Sequence, residues 1–309
     1  MAQIKTMRSS MTLYEWLLLL LLSLVWGGSY FFVGVAVAEL PTMTIVFARL
    51  SIGAVVLLLC LKPLGIAMPW TRKAWQLFFI MGMLNNAVPF CLIVWGQSHL
   101  ASGVAAIINA STPMFTILVA HFLTQDESMT KVKFFGVIVG FFGVVVLIGV
   151  DSLVMLDGGF WASLACIGAA ISYAFAGVFG RKFAREGIAP MATATGQVCA
   201  SSCILFVIML LVDTPWQLEV PSMPVFAALV GIGVLSTALA YTVYFRLLAT
   251  AGATNVLLVT FLVPVNAIIL GVAFLNEALL LRHILGMLLI GVSLLVIDGR
   301  MVQFLTRRK

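Results

Sequence analysis

Charge is what this chain has least of. Of its 309 residues only 9% are Asp, Glu, Lys or Arg, against 63% hydrophobic. A soluble domain carries about 25% charged residues. There is too little polar surface here to coat a water-soluble globule, and the composition is that of an integral membrane protein. Histidine is almost as scarce: His99, His121 and His283 are the whole supply. Ser98 and His99 are neighbours, so on one helix their side chains diverge. No Gly-x-Ser-x-Gly elbow and no paired intramembrane aspartates occur, which disfavours an intramembrane enzyme. The five cysteines, Cys60, Cys91, Cys166, Cys199 and Cys203, all lie within apolar runs without a His or acid beside them. They read as small buried hydrophobes rather than disulfides or metal ligands. No metal site, cofactor or nucleic-acid partner is expected.

What is abundant is the long apolar run. Short polar breaks divide the chain into ten candidate helices, near 14–38, 42–62, 73–98, 102–124, 131–150, 158–182, 190–212, 223–247, 252–275 and 280–300. Lys5 and Arg8 followed by an apolar run and Ala36-Val37-Ala38 imitate a secretory signal. The run from Trp16 to Ala38 is too long for a signal core of about 7–15 residues, so it reads as the first span. With the N-terminus placed in the cytoplasm, fifteen of the seventeen Lys and Arg residues fall on the cytoplasmic side, Arg282 falls outside, and Arg49 lies within a span. That is a strong positive-inside asymmetry, and a missed or invented helix would spoil it. The expected orientation has both termini in the cytoplasm.

Two stretches organise the rest. Gly103–Glu127 and Thr254–Glu277 are apolar runs of about 22 residues, each with a proline near its middle, Pro113 or Pro264, and each ending in an acid followed nine residues later by glycine, Gly136 or Gly286. A proline within a span frees a backbone carbonyl where there is no water, which is tolerated where protein or a wet cavity satisfies it. A matched pair of such interrupted spans points to a transport site near the membrane midplane, with Pro113 and Pro264 as candidate hinges. An offset of about 150 residues also maps Gly82 onto Gly233, Asn86 onto Thr237, Phe90 onto Tyr241, and Pro41 onto Pro190. Each half holds five spans. Five is odd, so the halves have opposite orientation. The expected fold is all-α and integral to the membrane: ten transmembrane helices as two inverted five-helix repeats, residues 12–150 and 156–303.

The five-span halves, the proline followed by the Glu-x8-Gly element after the fourth span, and Phe47-Ala48-Arg49 in the second span resemble the drug/metabolite transporter superfamily, and within it the EamA-type ten-helix exporters. The narrower likeness is to YddG-like amino-acid exporters. The resemblance spans about residues 12–303. It implies a monomeric bacterial inner-membrane exporter of small metabolites with a central cavity between the halves.

Polar groups are costly in hydrocarbon, so their depth is informative. The midplane falls in the first, third, fourth, sixth, eighth and ninth spans near Trp26–Tyr30, Asn85–Asn86, Asn109–Pro113, Ser172–Tyr173, Ser236–Tyr241 and Thr260–Asn266. These spans are expected to line the cavity, with the second, fifth, seventh and tenth packed around them. Trp26, Tyr30, Asn86, Trp95, Asn109, Tyr173, Tyr241 and Tyr244 are the candidate substrate contacts. Amides satisfy both ammonium and carboxylate groups, and aromatic faces hold a cation or an apolar side chain. Such a lining, free of fixed charge, suits a neutral or zwitterionic solute with a bulky apolar part, such as an amino acid. For each residue the competing role is interhelical packing, worth about 0.6 kcal/mol per hydrogen bond; Trp95 also has the position of an interface anchor. Arg49 is read as shallow, pairing with carbonyls or snorkelling outward. Glu15 is an edge residue, about 16 Å below Trp26 by helical rise. With no deep carboxylate, an obvious proton carrier is missing and uniport is expected. The alternative is a proton-coupled multidrug or organic-cation exporter.

Overall fold

The computed structural model describes residues 11–124, 129–149 and 158–298, with the side chains at 253, 254 and 298 left aside. Its described residues fold into ten helical spans: α1 Leu13–Ala36, α2 Thr42–Leu61, α3 Arg72–Gln97, α4 Ser102–Leu123, α5 Lys131–Ile148, α6 Gly158–Arg185, α7 Pro190–Val212, α8 Met223–Ala251, a broken α9 of Ala253–Val256 and Val259–Phe274, and α10 Leu281–Asp298. The first eight are each long and apolar enough to cross a bilayer. The helix starts follow from local chemistry. Thr12 and Glu15 form a capping box at α1, the Glu15 carboxylate accepting from the Thr12 N–H at 2.8 Å. This fixes Glu15 at the edge of its span. Thr71 caps α3 through the Ala74 N–H, and Pro190 opens α7, where its missing N–H costs no hydrogen bond.

Helices related by the repeat pack on one another in opposite directions. Thr44, in the first turn of α2, is bonded to Asp213, just past the end of α7. Along α5 and α10, Gly136 lies against Ile297 and Gly143 against Leu289 and Ile290. The neighbours are exchanged in matching pairs: α1 packs on α8 as α6 packs on α3, and α1 packs on α9 as α6 packs on α4. This is the inverted repeat expected from five spans per half. α5 and α10 form a side pair held by small residues. Gly136, Gly140, Gly143 and Gly286 all sit at its close approach, and Ser293 Oγ donates to the Gly136 carbonyl at 2.7 Å. Gly291, at similar spacing, has open space where a Cβ would stand and takes no part in that contact.

Both halves carry the same irregularity. α3 widens into a π-helical turn at Met83–Ala87 and α8 into another at Val234–Leu239. Each begins directly after the glycine that the repeat pairs, Gly82 or Gly233. Gly82 presses on the α7 backbone at Gln197 and on Ser201, while Gly233 presses on Ile52 and the Arg49 carbonyl of α2. The two proline spans are less alike. α4 breaks at Ala110–Ser111, and Pro113 occupies the first turn of the second piece. Its ring displaces the hydrogen bond to the Asn109 carbonyl, and Thr112 Oγ1 donates to that carbonyl instead, at 2.6 Å. Pro264 instead lies inside the continuous helix Val259–Phe274, and the interruption of α9 falls earlier, after Val256. The carbonyl Pro264 leaves free belongs to Thr260.

Candidate functional site

A cavity of about 750 Å³ lies between the halves, within the range of about 300–1,000 Å³ usual for small-molecule sites. Every span except α5 and α10 borders it. At one end its walls are Val33, Ile93, Val94 and Gln97, all buried; at the other they include Ala184 and Pro190, both exposed, with Phe183, Ile188 and Leu248. The first end is closed and the second reaches the outside.

Six of the expected contact residues border this space: Trp26, Tyr30, Asn109, Tyr173, Tyr241 and Tyr244, with Pro264 beside them. Trp26 and Tyr244 pack at 5.6 Å between ring centroids, Tyr244 meets the Phe245 edge at 5.1 Å, and Phe245 stacks along Tyr241 at 6.2 Å. Together they make a continuous aromatic wall. Tyr241 is fixed by polar partners. Its hydroxyl donates to Asn86 Oδ1 at 3.0 Å and accepts from Asn85 Nδ2 at 3.1 Å, and Asn85 Nδ2 also donates to Gln197 Oε1 at 3.2 Å.

Asn86 and Trp95 are not in the cavity. Asn86 is fully buried behind the wall, where Nδ2 donates to Ser201 Oγ on α7. Its place is taken by Asn85, and the reason is the π-helical turn. Phe90, Ile93, Val94 and Gln97 follow an α-helical face, but the next lining residue back is Asn85, five positions before Phe90 rather than four. The same five-residue step separates Ser236 from Tyr241 on α8, so Thr237 turns away from the cavity toward Arg49. The wide turn thus re-aims one residue in each half, consistent with the enrichment of π-bulges at functional sites. Trp95 is 40% exposed and packs on His99 at 5.0 Å, as an interface anchor does. Pro113 also falls outside the lining, with Thr112 bordering it.

Four lining residues come from spans expected to stay clear of the cavity: Arg49 on α2, and Pro190, Thr193 and Gln197 on α7. Arg49 overturns the reading of an uncharged lining. It is only 8% exposed and does not snorkel. Nε donates to Thr237 Oγ1 at 3.2 Å, Nη1 donates to Ser29 Oγ at 3.1 Å, and the guanidinium lies 3.7 Å from the centre of the Phe90 ring. An arginine inside an apolar run was a visible signal. The reading of Arg49 as shallow is corrected as well, because Ser29 and Thr237 belong to the stretches placed at the midplane.

The closed end is held by three carboxylates, each gripping a helix start in the opposite half. Glu277 accepts from the Ser102 and Gly103 N–H groups of α4 at 2.8 and 3.4 Å. Asp213 accepts from the Thr44 N–H and hydroxyl of α2 at 2.6 and 2.9 Å. Glu39 accepts from the N–H and hydroxyl of Ser222, which precedes α8, at 2.7 and 2.6 Å. The helix-start N–H groups have no intrahelical partner, and a carboxylate there also meets the positive end of the helix dipole. Gly271 is required by this arrangement, because a Cβ there would occupy the space of the Glu277 carboxylate. Beneath these clasps Gln97 Nε2 donates to the Tyr30 carbonyl and to Ser102 Oγ at 2.9 and 3.1 Å, tying α3 to α1 and α4. Glu127, the repeat partner of Glu277, lies outside the described residues.

The EamA-like transporter family model matches this chain twice, over residues 13–149 and 160–298. The chain is 27% identical to Protein PecM of Dickeya dadantii over 92% of each chain. It is 26% identical to the uncharacterized transporter YoaV of Bacillus subtilis, over 87% of this chain and 91% of that one. With the uncharacterized inner membrane transporter YedA of Escherichia coli K12 it shares 24% identity over 84% of this chain and 82% of that one. A crystal structure superposes with a TM-score of 0.64 at 18% identity, covering 92% of this chain and 97% of that one, which speaks to the fold alone. Two family matches in tandem, one per inverted half, with a cavity between them, make this chain a multi-pass membrane transporter of the EamA-like transporter family.

Proposed function

We propose that this protein carries small metabolites outward across the bacterial inner membrane, amino acids with bulky or aromatic side chains first among them. Halves 12–150 and 156–303 rock about the central site to expose it to either face. The observation that carries this reading is the cavity itself: one aromatic wall from Trp26 to Tyr241, with the amides of Asn85, Asn109 and Gln197 facing it. Its volume suits one amino-acid-sized solute. The Lys and Arg asymmetry of the loops supports cytoplasmic termini, and with that orientation the open end faces the cytoplasm, where an exporter loads. The relative YedA is named an inner membrane transporter, which supports that membrane for this chain too. The reading takes the carrier to be a monomer.

Among the described residues no Asp or Glu borders the cavity. This supports uniport down the substrate gradient over the proton-coupled export of organic cations. Purified protein in liposomes is expected to exchange labelled phenylalanine or leucine with or without an imposed pH gradient. A strict requirement for the gradient would defeat uniport, and exchange of quaternary amines in preference to amino acids would defeat the substrate assignment.

A further inference from the structure

Arg49 is a full positive charge in the wall of a membrane-embedded cavity, and its partners are neutral: two hydroxyls, Ser29 and Thr237, and the face of Phe90. The ion pair seen among the described residues is elsewhere, between Lys73 and Glu186. A guanidinium has five N–H donors in a planar fork, and the two hydroxyl bonds engage two of them. Arg49 contributes no buried atom that lacks a partner, so its remaining donors face the cavity. A charge at this depth without a counter-ion is costly. The hydroxyls and the ring orient the group and leave its charge uncompensated.

From this we infer that Arg49 is the carboxylate receptor of the cavity, so the carried solutes are those with a carboxylate and the matching amines are excluded. The assignment rests on the carrier reading of this cavity. A carboxylate meets the free edge of the guanidinium with two parallel hydrogen bonds and supplies the missing charge in one step. The aromatic wall formed by Trp26, Tyr241 and Tyr244 then takes the apolar side chain. An amine lacking the carboxylate would bring a second positive charge beside Arg49 and leave its donors unpaired, the configuration that polar sites reject most strongly.

The test is binding to the purified full-length protein, by titration calorimetry and by ligand-induced rise in melting temperature. The ligands are three matched sets, each an amino acid, its decarboxylated amine and its deaminated acid, built on benzyl, isobutyl and methylthioethyl groups. Wild-type protein is expected to bind amino acids and acids at least about tenfold more tightly than the amines. Arg49→Gln brings that ratio to about one with amine binding kept or improved, a gain that a misfolded protein does not give. Arg49→Lys, which keeps the charge but loses the fork, falls between. If Arg49→Gln does not fold, the wild-type ratio and Arg49→Lys carry the test. Amines binding as well as acids to the wild type would overturn the role of Arg49 and leave a carrier of another solute class standing. A carboxylate preference that survives Arg49→Gln would also overturn it. Binding of no member of any set would overturn the amino-acid reading, and this assignment with it.

Discussion

The two ends of the cavity are built from repeat-related segments, yet one is clasped and the other is open. At the clasped end Glu39, Asp213 and Glu277 each hold a helix start in the opposite half. At the open end two of the three corresponding positions act differently; the third, Glu127, lies outside the described residues. Glu186, in the turn after α6, corresponds to Glu39 in the turn after α1, but it pairs with Lys73 at 2.6 Å, an ion pair whose lysine is 70% exposed. Such pairs contribute about 0–1 kcal/mol. Where the clasped end has Asp213 after α7, the open end has Lys62 after α2. Opposite Lys62, Thr193 in the first turn of α7 corresponds to Thr44, and its hydroxyl is turned back onto its own Ala189 carbonyl. The folds of the two halves are related by symmetry but their gates are not. The difference points to a handful of side chains at helix ends as the source of the bias toward closure of one side, which the following variants test.

The largest expected effect comes from removing the Glu277 clasp. A hydrogen bond to a charged group contributes about 1.5–3 kcal/mol, and of the two that Glu277 accepts the one from Ser102 at 2.8 Å is the short one, so Glu277→Ala should shift the balance toward opening of the clasped end by about ten- to a hundredfold. In a background lacking the native cysteines, a cysteine in place of Val94 reads this out as reaction with an impermeant maleimide added from that side. Unchanged reactivity would mean that the clasp is structural and not a gate. A smaller effect, about five- to tenfold, is expected from giving the open end what it lacks. Lys62→Asp places an acceptor opposite the start of α7, where a carboxylate at a helix N-terminus is worth about 1 kcal/mol. It should favour closure of that end, protecting a cysteine in place of Ala184 and slowing loading. Faster exchange with Ala184 still reactive would show that the bias arises elsewhere.

Much of the fold was legible before any coordinates, because periodic apolar runs and loop charge report directly on burial in lipid. The ten spans and the inverted halves are of that kind. Faces of helices were legible only where the helices are regular. The π-helical turns in α3 and α8 add a residue per turn, so Asn85 stands where the α-helical count puts Asn86. Arg49 was read as shallow from its count along α2, and that count carries neither the tilt of the span, which brings it level with Ser29 and Thr237, nor the direction it faces. The role of Glu277 was illegible for a different reason. Its partners, Ser102 and Gly103, are brought to it by the tertiary fold, and nothing local to the Glu-x8-Gly element marks them.

The mildest way to loosen the clasped end is acid. The Ser222 hydroxyl and then its backbone N–H hold the Glu39 carboxyl below its ordinary value of 4.5. The clasped form therefore binds this proton less readily than a form in which Glu39 has let go. Its stabilising contribution is complete above the ordinary value and is lost as pH falls through the lowered one. Acidifying the clasped side below about pH 4.5 should accordingly raise maleimide reactivity at position 94 relative to a fully exposed control cysteine at the same pH, which cancels the loss of thiolate in acid, by no more than a few-fold because Glu39 and Ser222 are exposed to solvent and screened. Glu39→Gln should already show the raised level at neutral pH and lose this part of the acid response. A full acid response retained in Glu39→Gln would show that the loosening does not run through the Glu39–Ser222 clasp.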